Sequence, residues 1–367
     1  MDKERIVFLD YVRVIACFMV IMVHASENFY LAAPEGAPSG EMVNVVSKIM
    51  SEDARFWVAL LDGFCRMSVP LFMITSAYLL CPIRREQGWG SFYKRRALRI
   101  LPPMLLFMIL YSALPLLWGG TTTEQAIRAL LYIPLNFPGV GGHLWFLYPL
   151  LSLYLLIPMI SPWLRESTAK QERFFILLFL ISTTISFFER FVGDVFGIVF
   201  WNHYHLFFPF AGYVGYLVLA HYIRFHIQWS DRKRWAVGLP CLLVGAAATI
   251  LSFYLQINVG TEQDAGLMEI GWCFCTPNVV LLTFGFFLLC TTIHKPCKDY
   301  PLVRDISRKS YGMYLMHMFF LVMYSGLIGS HIYVGLAIPC IAICTFATSY
   351  LLTKLISFIP GSKWVIG

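Results

Sequence analysis

Three features of the sequence predict an all-α, polytopic integral membrane protein with about ten transmembrane helices. Of the 367 residues, 58% are hydrophobic and only 13% are charged, against roughly half and a quarter in soluble domains. The apolar residues fall in successive stretches, each near the roughly 20 residues that a helix needs to cross a bilayer. Lysine and arginine concentrate in alternate connections between those stretches, which is the pattern that sets orientation in membranes. The spans nearly exhaust the length, so residues 1–367 read as a single membrane-embedded domain. The formal net charge of +7 arises from short basic clusters between apolar segments, which argues for topology signals and against nucleic acid.

In chain order the spans are 6–31, 55–80, 97–118, 143–162, 174–191, 204–224, 235–256, 269–293, 310–329 and 332–358. The first begins behind a charged front that resembles a secretory signal. Asp10 and Arg13 interrupt its apolar run, and Val23 is not a small residue two places before Ala25, so the segment is expected to be retained. The fifth is short, ending at Glu189 and Arg190. Basic residues such as Lys3, Arg5, Arg84, Arg95, Arg173, Arg232, Lys298, Arg308 and Lys363 share one side, while the other holds Lys48, Arg55, Arg128 and Arg190. Both termini are therefore expected in the cytosol, with the chain in the plasma (inner) membrane. The longest polar connection, 32–53, includes Pro34, Gly36, Pro38 and Gly40 and is expected outside as a solvated loop.

The ten cysteines lie within spans or in loops on the basic side, and no disulfide framework follows. Cys273 and Cys275 read as small apolar filler. The pair His203 and His205 flanking Tyr204 is an isolated H-x-H, too weak a pattern for metal, and no metal is expected.

The first span carries the most chemistry. At 100° per residue, Asp10, Arg13, Cys17, Ile21, His24 and Asn28 fall within roughly 60° of one another, forming a stripe along one face. Charges in a bilayer face a protein interior or a water-filled cavity, so the stripe is expected to line a water-accessible tunnel. Asp10 and Arg13, at i and i+3 near the cytosolic end, have an alternative as a snorkelling pair. His24 lies roughly 16 Å further along, and its imidazole is a candidate base. In the second span Arg66 lies deep in the membrane, with Asp62 as its candidate structural partner. Lys94, Arg95, Arg96 and Arg99 crowd the start of the third span, where guanidinium groups suit a phosphorylated donor, or else anionic lipid. Pro102 and Pro103 follow and are expected to kink the helix and open a mouth beside it. At the external start of the fourth span, His143 is a candidate acceptor contact and Trp145 a stacking platform or interfacial anchor. Ser310, Tyr311, Tyr314 and His317 occupy the inner half of the ninth, facing either a donor or neighbouring helices.

These residues resemble the acyltransferase-3 family of multi-pass membrane acyltransferases, in order along nearly the whole chain. The resemblance is carried by Leu9-Asp10-Tyr11-Val12-Arg13 through His24-Ala25, by Arg66 to Phe72 and on to Tyr78, by Arg96-Ala97-Leu98-Arg99, by His143 to Leu147, and by Ser310 with Tyr314 to His317. Ser76-Ala77 stands where the family has Ser-Gly. The resemblance implies transfer of an acyl group, commonly acetyl, from cytosolic acyl-coenzyme A to a hydroxyl of a carbohydrate or lipid-linked glycan at the outer face. It implies that His24 and Arg13, with Asp10 beside them, belong to the catalytic set, and that Arg96 and Arg99 serve the coenzyme A end, where Arg95 and His317 are grouped with them. Arg66, His143, Trp145 and Ser76 are assigned to the acceptor. His24 is expected to act as general base or, in a variant, to carry the acyl group covalently. The rival reading is a transporter of a small solute or glycan precursor, since polar bundle linings also mark transport paths; no internal repeat supports it.

Overall fold

The computed structural model describes residues 6–32, 46–47, 50–135, 137, 139–192, 206–261, 263 and 268–367. Lys3 and Arg5, the Pro34 to Gly40 stretch, Lys48, and the His203-Tyr204-His205 triplet lie outside the described residues.

Eight helical segments among the described residues are long and apolar enough to cross a membrane. They contain α1 (Val7–Glu27), α2 (Glu52–Cys65) joined to α3 (Ser68–Leu80), α4 (Trp89–Ala113), α6 (Leu147–Glu166), α9 (Asp231–Gln256), α10 (Pro277–Cys290), α11 (Tyr300–Ile328) and α12 (Val334–Ile356). Short α5 (Thr123–Tyr132), 24-residue α7 (Ala169–Val192), 12-residue α8 (Val214–Phe225) and terminal α13 (Lys363–Ile366) complete the set. The expected fifth span falls within α7, and the described helical parts of the expected sixth are a 3-10 turn, Phe208–Phe210, and α8. One two-residue antiparallel pairing, Leu31–Ala32 with Val46–Ser47, is the only β-structure among the described residues.

Helix starts follow local chemistry. Ser51 and Ser230 cap α2 and α9 by accepting from Ala54 N and Lys233 N, and Thr122 with Gln125 forms a capping box at α5. Two helices begin well before the expected spans, α4 at Trp89 rather than 97 and α11 at Tyr300 rather than 310. The added stretches carry Lys94, Arg95 and Arg96 in α4 and Arg304, Asp305, Arg308 and Lys309 in α11, and apolar length marks the part of a helix in lipid, not its hydrogen-bonded start. The expected second span is a broken rod. Pro70 has no N–H to donate to the carbonyl of Arg66, so the helix stops at Cys65 and resumes at Ser68. Pro102 and Pro103, by contrast, are both accommodated within a continuous α4.

The outer faces are apolar. Leu105, Ile109, Leu155, Met159, Leu243 and Leu251 are all exposed, a surface that suits lipid and that water disfavours. α1 sits at the centre, packed against α2, α3, α10, α11 and α12. α9 and α10 approach through glycines: a Cβ on Gly245 would stand 2.4 Å from Leu282 N, and one on Gly285 2.4 Å from Leu242 N. Small residues allow this proximity, and proximity supplies the dispersion that joins helices in lipid.

Candidate active site

α1 contributes two residues of its stripe, Arg13 and His24, one to each of two chambers. One, of about 290 Å³, opens beside the basic end of α4; Arg13, Ser76, Arg96, Arg99, Arg308 and Ser310 contribute its polar lining. The other, of about 230 Å³, lies further along α1, with His24, Glu27, Arg66, His143, Trp145 and Glu269 among its walls. Phe146 and Tyr314 belong to both linings, and their rings pack edge to face 5.9 Å apart. The expected continuous tunnel is thus two compartments meeting at an aromatic septum. Between Arg13 and His24, Cys17 and Ile21 are buried, with the Cys17 thiol directed at the Ser310 carbonyl.

His24 lies in the last turn of α1 with its Nδ1 2.6 Å from Glu27 Oε2, at i+3. An ionised carboxylate only accepts, so the ring proton sits on Nδ1 and the Nε2 lone pair is left to act as a base. Glu27 was not among the residues singled out in the sequence, although its H-x-x-E spacing is the signal that finds it. Two further imidazoles surround His24. His317 is stacked on it at 5.3 Å, and His143 lies edge-on at 6.4 Å from His24 and 5.0 Å from His317. His317 Nδ1 donates to the Tyr314 carbonyl at 2.6 Å, and its buried Nε2 makes no hydrogen bond among the described residues. Neither ring nitrogen of His143 has a hydrogen bond of normal geometry there. His317 therefore sits in the histidine cluster, away from the arginine-lined chamber with which the sequence grouped it.

Arg66 is 4% exposed and hydrogen-bonded through Nε and Nη2. Its Nε donates to Asp62 Oδ1 at 2.6 Å, and its Nη2 to Asp62 Oδ2 at 3.1 Å and Tyr30 Oη at 2.9 Å. Tyr30 donates in turn to Glu269 Oε1 at 2.6 Å. The guanidinium lies 4.4 Å over the Trp272 ring, which stacks on Phe253 at 3.7 Å. The candidate Asp62 partner is in place, and Arg66 also lines the histidine chamber, because a buried cation in lipid needs neutralisation even where it lines a cavity. Glu269, which completes this wall, carries no local signal in the sequence.

The basic chamber differs from the expected grouping in three places. Arg95 is exposed and folds back onto its own helix, donating to Ser91 O and Oγ at 3.1 and 3.2 Å. It takes no part in the lining because it lies one residue, about 100° of helix rotation, from Arg96. Ser76, assigned to the acceptor, lines the basic chamber with Arg13 and Arg96, since α3 runs back toward the basic end. Asp10 lines neither chamber. It is buried and accepts from Ser307 Oγ at 2.6 Å and Tyr300 Oη at 2.8 Å, which fastens α1 to α11. Arg96 has a buried Nε that makes no hydrogen bond among the described residues, a donor available to a bound anion. Trp145 lines the histidine chamber and stacks on Phe274 at 5.4 Å.

A family model described as an acyltransferase domain matches residues 6–354, nearly the whole chain. No curated protein and no solved structure gave a match.

Proposed function

We propose a reaction for this chain, which belongs to the acyltransferase-3 family and is a multi-pass membrane acyltransferase: an acyl group, commonly acetyl, passes from acyl-coenzyme A to a hydroxyl of a carbohydrate or lipid-linked glycan, with His24 as general base. In this reading the arginine-lined chamber faces the cytosol and the histidine chamber the outer face of the plasma membrane. The observation that carries it is the pair of chambers meeting at Phe146 and Tyr314, one lined by guanidinium groups and the other by a carboxylate-oriented imidazole.

Arg96, Arg99, Arg13 and Arg308 suit the phosphates, because planar guanidinium groups bind them bidentately. A chamber of about 290 Å³ stands at the lower end of the roughly 300–1,000 Å³ typical of ligand sites. It suits a flexible arm whose nucleotide stays at the mouth. The thioester would reach the septum from this side and the acceptor hydroxyl from the other. Nε2 of His24 takes the hydroxyl proton as the oxygen bonds to the thioester carbon, Arg66 or His143 stabilises the developing oxyanion, and the carbon–sulfur bond breaks with the proton returned from His24 to the thiolate. Glu27 holds the ring in the required tautomer and stabilises the imidazolium between the two transfers. Trp145 and Phe274 offer a stacking face to a sugar ring.

A carrier working by alternating access would also place compartments on both sides of a septum, so the two readings are separated by chemistry. Purified protein in detergent, given acetyl-coenzyme A and outer-envelope glycan, is expected to release free coenzyme A only with acceptor present, and His24→Ala at equal expression is expected to release none. Solute movement without thioester consumption, or undiminished transfer by His24→Ala, would overturn the assignment.

A further inference from the structure

Away from both chambers, three side chains converge where the first turn of α7 meets the end of α8. Glu172 has a fully buried carboxylate. His221 Nδ1 lies 2.9 Å and His226 Nε2 3.0 Å from the same oxygen, Oε1, although they stand 49 and 54 residues away in the chain. Ser167 donates to Oε1 as well, at 2.6 Å. Oε2 is buried and has no hydrogen bond among the described residues. One oxygen thus faces three partners and the other none, an uneven arrangement for a carboxylate shut away from water.

We infer that Glu172, His221 and His226 form a divalent-cation site of the zinc type, clipping α7 to α8. Two imidazoles and one carboxylate are a recurrent zinc donor set, completed by water when a position is open. The three ligand atoms lie within 4.8 Å of one another. Ligands at 2.0–2.1 Å in a tetrahedron stand about 3.3 Å apart, so an ion requires the observed 2.9 and 3.0 Å separations to open by a few tenths of an ångström and the two ring nitrogens, within 4.8 Å of one another, to settle at the same spacing. A bound ion draws on the carboxylate charge that the hydrogen bonds leave unevenly used, and either oxygen can serve. Each ring coordinates through the nitrogen already facing Glu172 and moves its proton to the other nitrogen, so both imidazoles stay neutral. Ser167 becomes the outer hydrogen bond that orients the ligating carboxylate. His226, with 22% of its side chain exposed, marks the open side, where a water completes the coordination and where an ion enters. The clip is structural: α8 packs on α3, which carries Ser76 and Tyr78, so fixing α8 to α7 steadies the wall behind the basic chamber.

The test uses the full chain purified in detergent without a polyhistidine tag, incubated with Zn²⁺, dialysed, and measured for bound metal and for thermal unfolding with and without chelator. About one zinc per chain is expected, with a lower melting temperature on chelation. His226→Gln, a partly exposed position at which an amide keeps a hydrogen-bond donor, is expected to bind at least tenfold less zinc and to melt at the chelated wild-type temperature. A wild type that binds no zinc and melts identically with chelator would overturn the site and leave a hydrogen-bonded trio. Equal zinc in wild type and the His221→Gln/His226→Gln pair would also overturn it.

Discussion

His24 and Glu27 stand on one face of α1 because residues three apart in a helix are neighbours, and the 2.6 Å contact between them fixes which ring nitrogen is free. If His24 is the proposed base, His24→Ala should lower kcat by about 10²- to 10⁴-fold, the usual worth of general-base catalysis. Glu27→Gln keeps a hydrogen-bonding group but removes the charge that steadies the imidazolium, so kcat should fall about tenfold or more, with little change in the KM for acyl donor. A Glu27→Gln enzyme with unaltered kcat would remove Glu27 from the mechanism. At the other chamber, Arg96 offers an unused buried N–H. Arg96→Gln should raise the KM for acyl-coenzyme A by about 10- to 100-fold at nearly constant kcat, since a hydrogen bond to a charged group is worth about 1.5–3 kcal/mol and acts on ground and transition states alike. Arg95→Gln, at an exposed side chain bonded to its own helix, should leave both constants near wild type. Steady-state kinetics of the pair checks the distinction.

Among the helices, α1 is held by polar bonds at its basic end and by packing along its length. Asp10 accepts from two hydroxyls of α11. Asp10→Ala would leave Ser307 and Tyr300 without that acceptor, costing about 1–3 kcal/mol of stability. In a double-mutant cycle with Ser307→Ala, measured by unfolding in detergent, the two effects should fail to add. Additivity would mean the contact contributes nothing. The α9–α10 crossing tests packing instead. Gly285→Leu sets a side chain where even a Cβ would stand 2.4 Å from backbone, so it should separate the helices and sharply reduce the yield of folded protein. Leu251→Ala, on the exposed face of α9, should not.

The sequence made the helices legible where lipid demands a run of apolar residues, and less so where it does not. The charge-bearing starts of α4 and α11 extend beyond the apolar windows, and the break at Cys65–Ser68 depends on one missing N–H at Pro70. The site divides in the same way. His24, Arg13 and Arg66 stood out because polar side chains in apolar spans need a reason, Arg96 as part of a basic cluster at the start of a span, and His143 at the external start of another. The approach of His317 to His24, the arrival of Glu269 beside Arg66, and the side of the septum on which Ser76 falls depend on how distant helices pack, and no local pattern encodes them.

Along the α1 stripe the described residues line two compartments where the stripe alone pointed to one tunnel, and the difference falls on Phe146 and Tyr314. Acyl transfer between them requires those rings to part or the acyl group to pass beside them. Phe146→Ala should therefore admit longer acyl chains and raise hydrolysis of acyl-coenzyme A in the absence of acceptor, because water then reaches the thioester. An unchanged chain-length profile and unchanged background hydrolysis would place the donor path elsewhere. The most direct measurement of the two-sided account uses sealed inverted membrane vesicles from cells expressing wild type or His24→Ala at equal levels, supplied with labelled acetyl-coenzyme A on their cytosolic face. Label is expected in lumenal, carbohydrate-linked ester with wild type and not with the variant; equal labelling by both, or label confined to the cytosolic face, would contradict it.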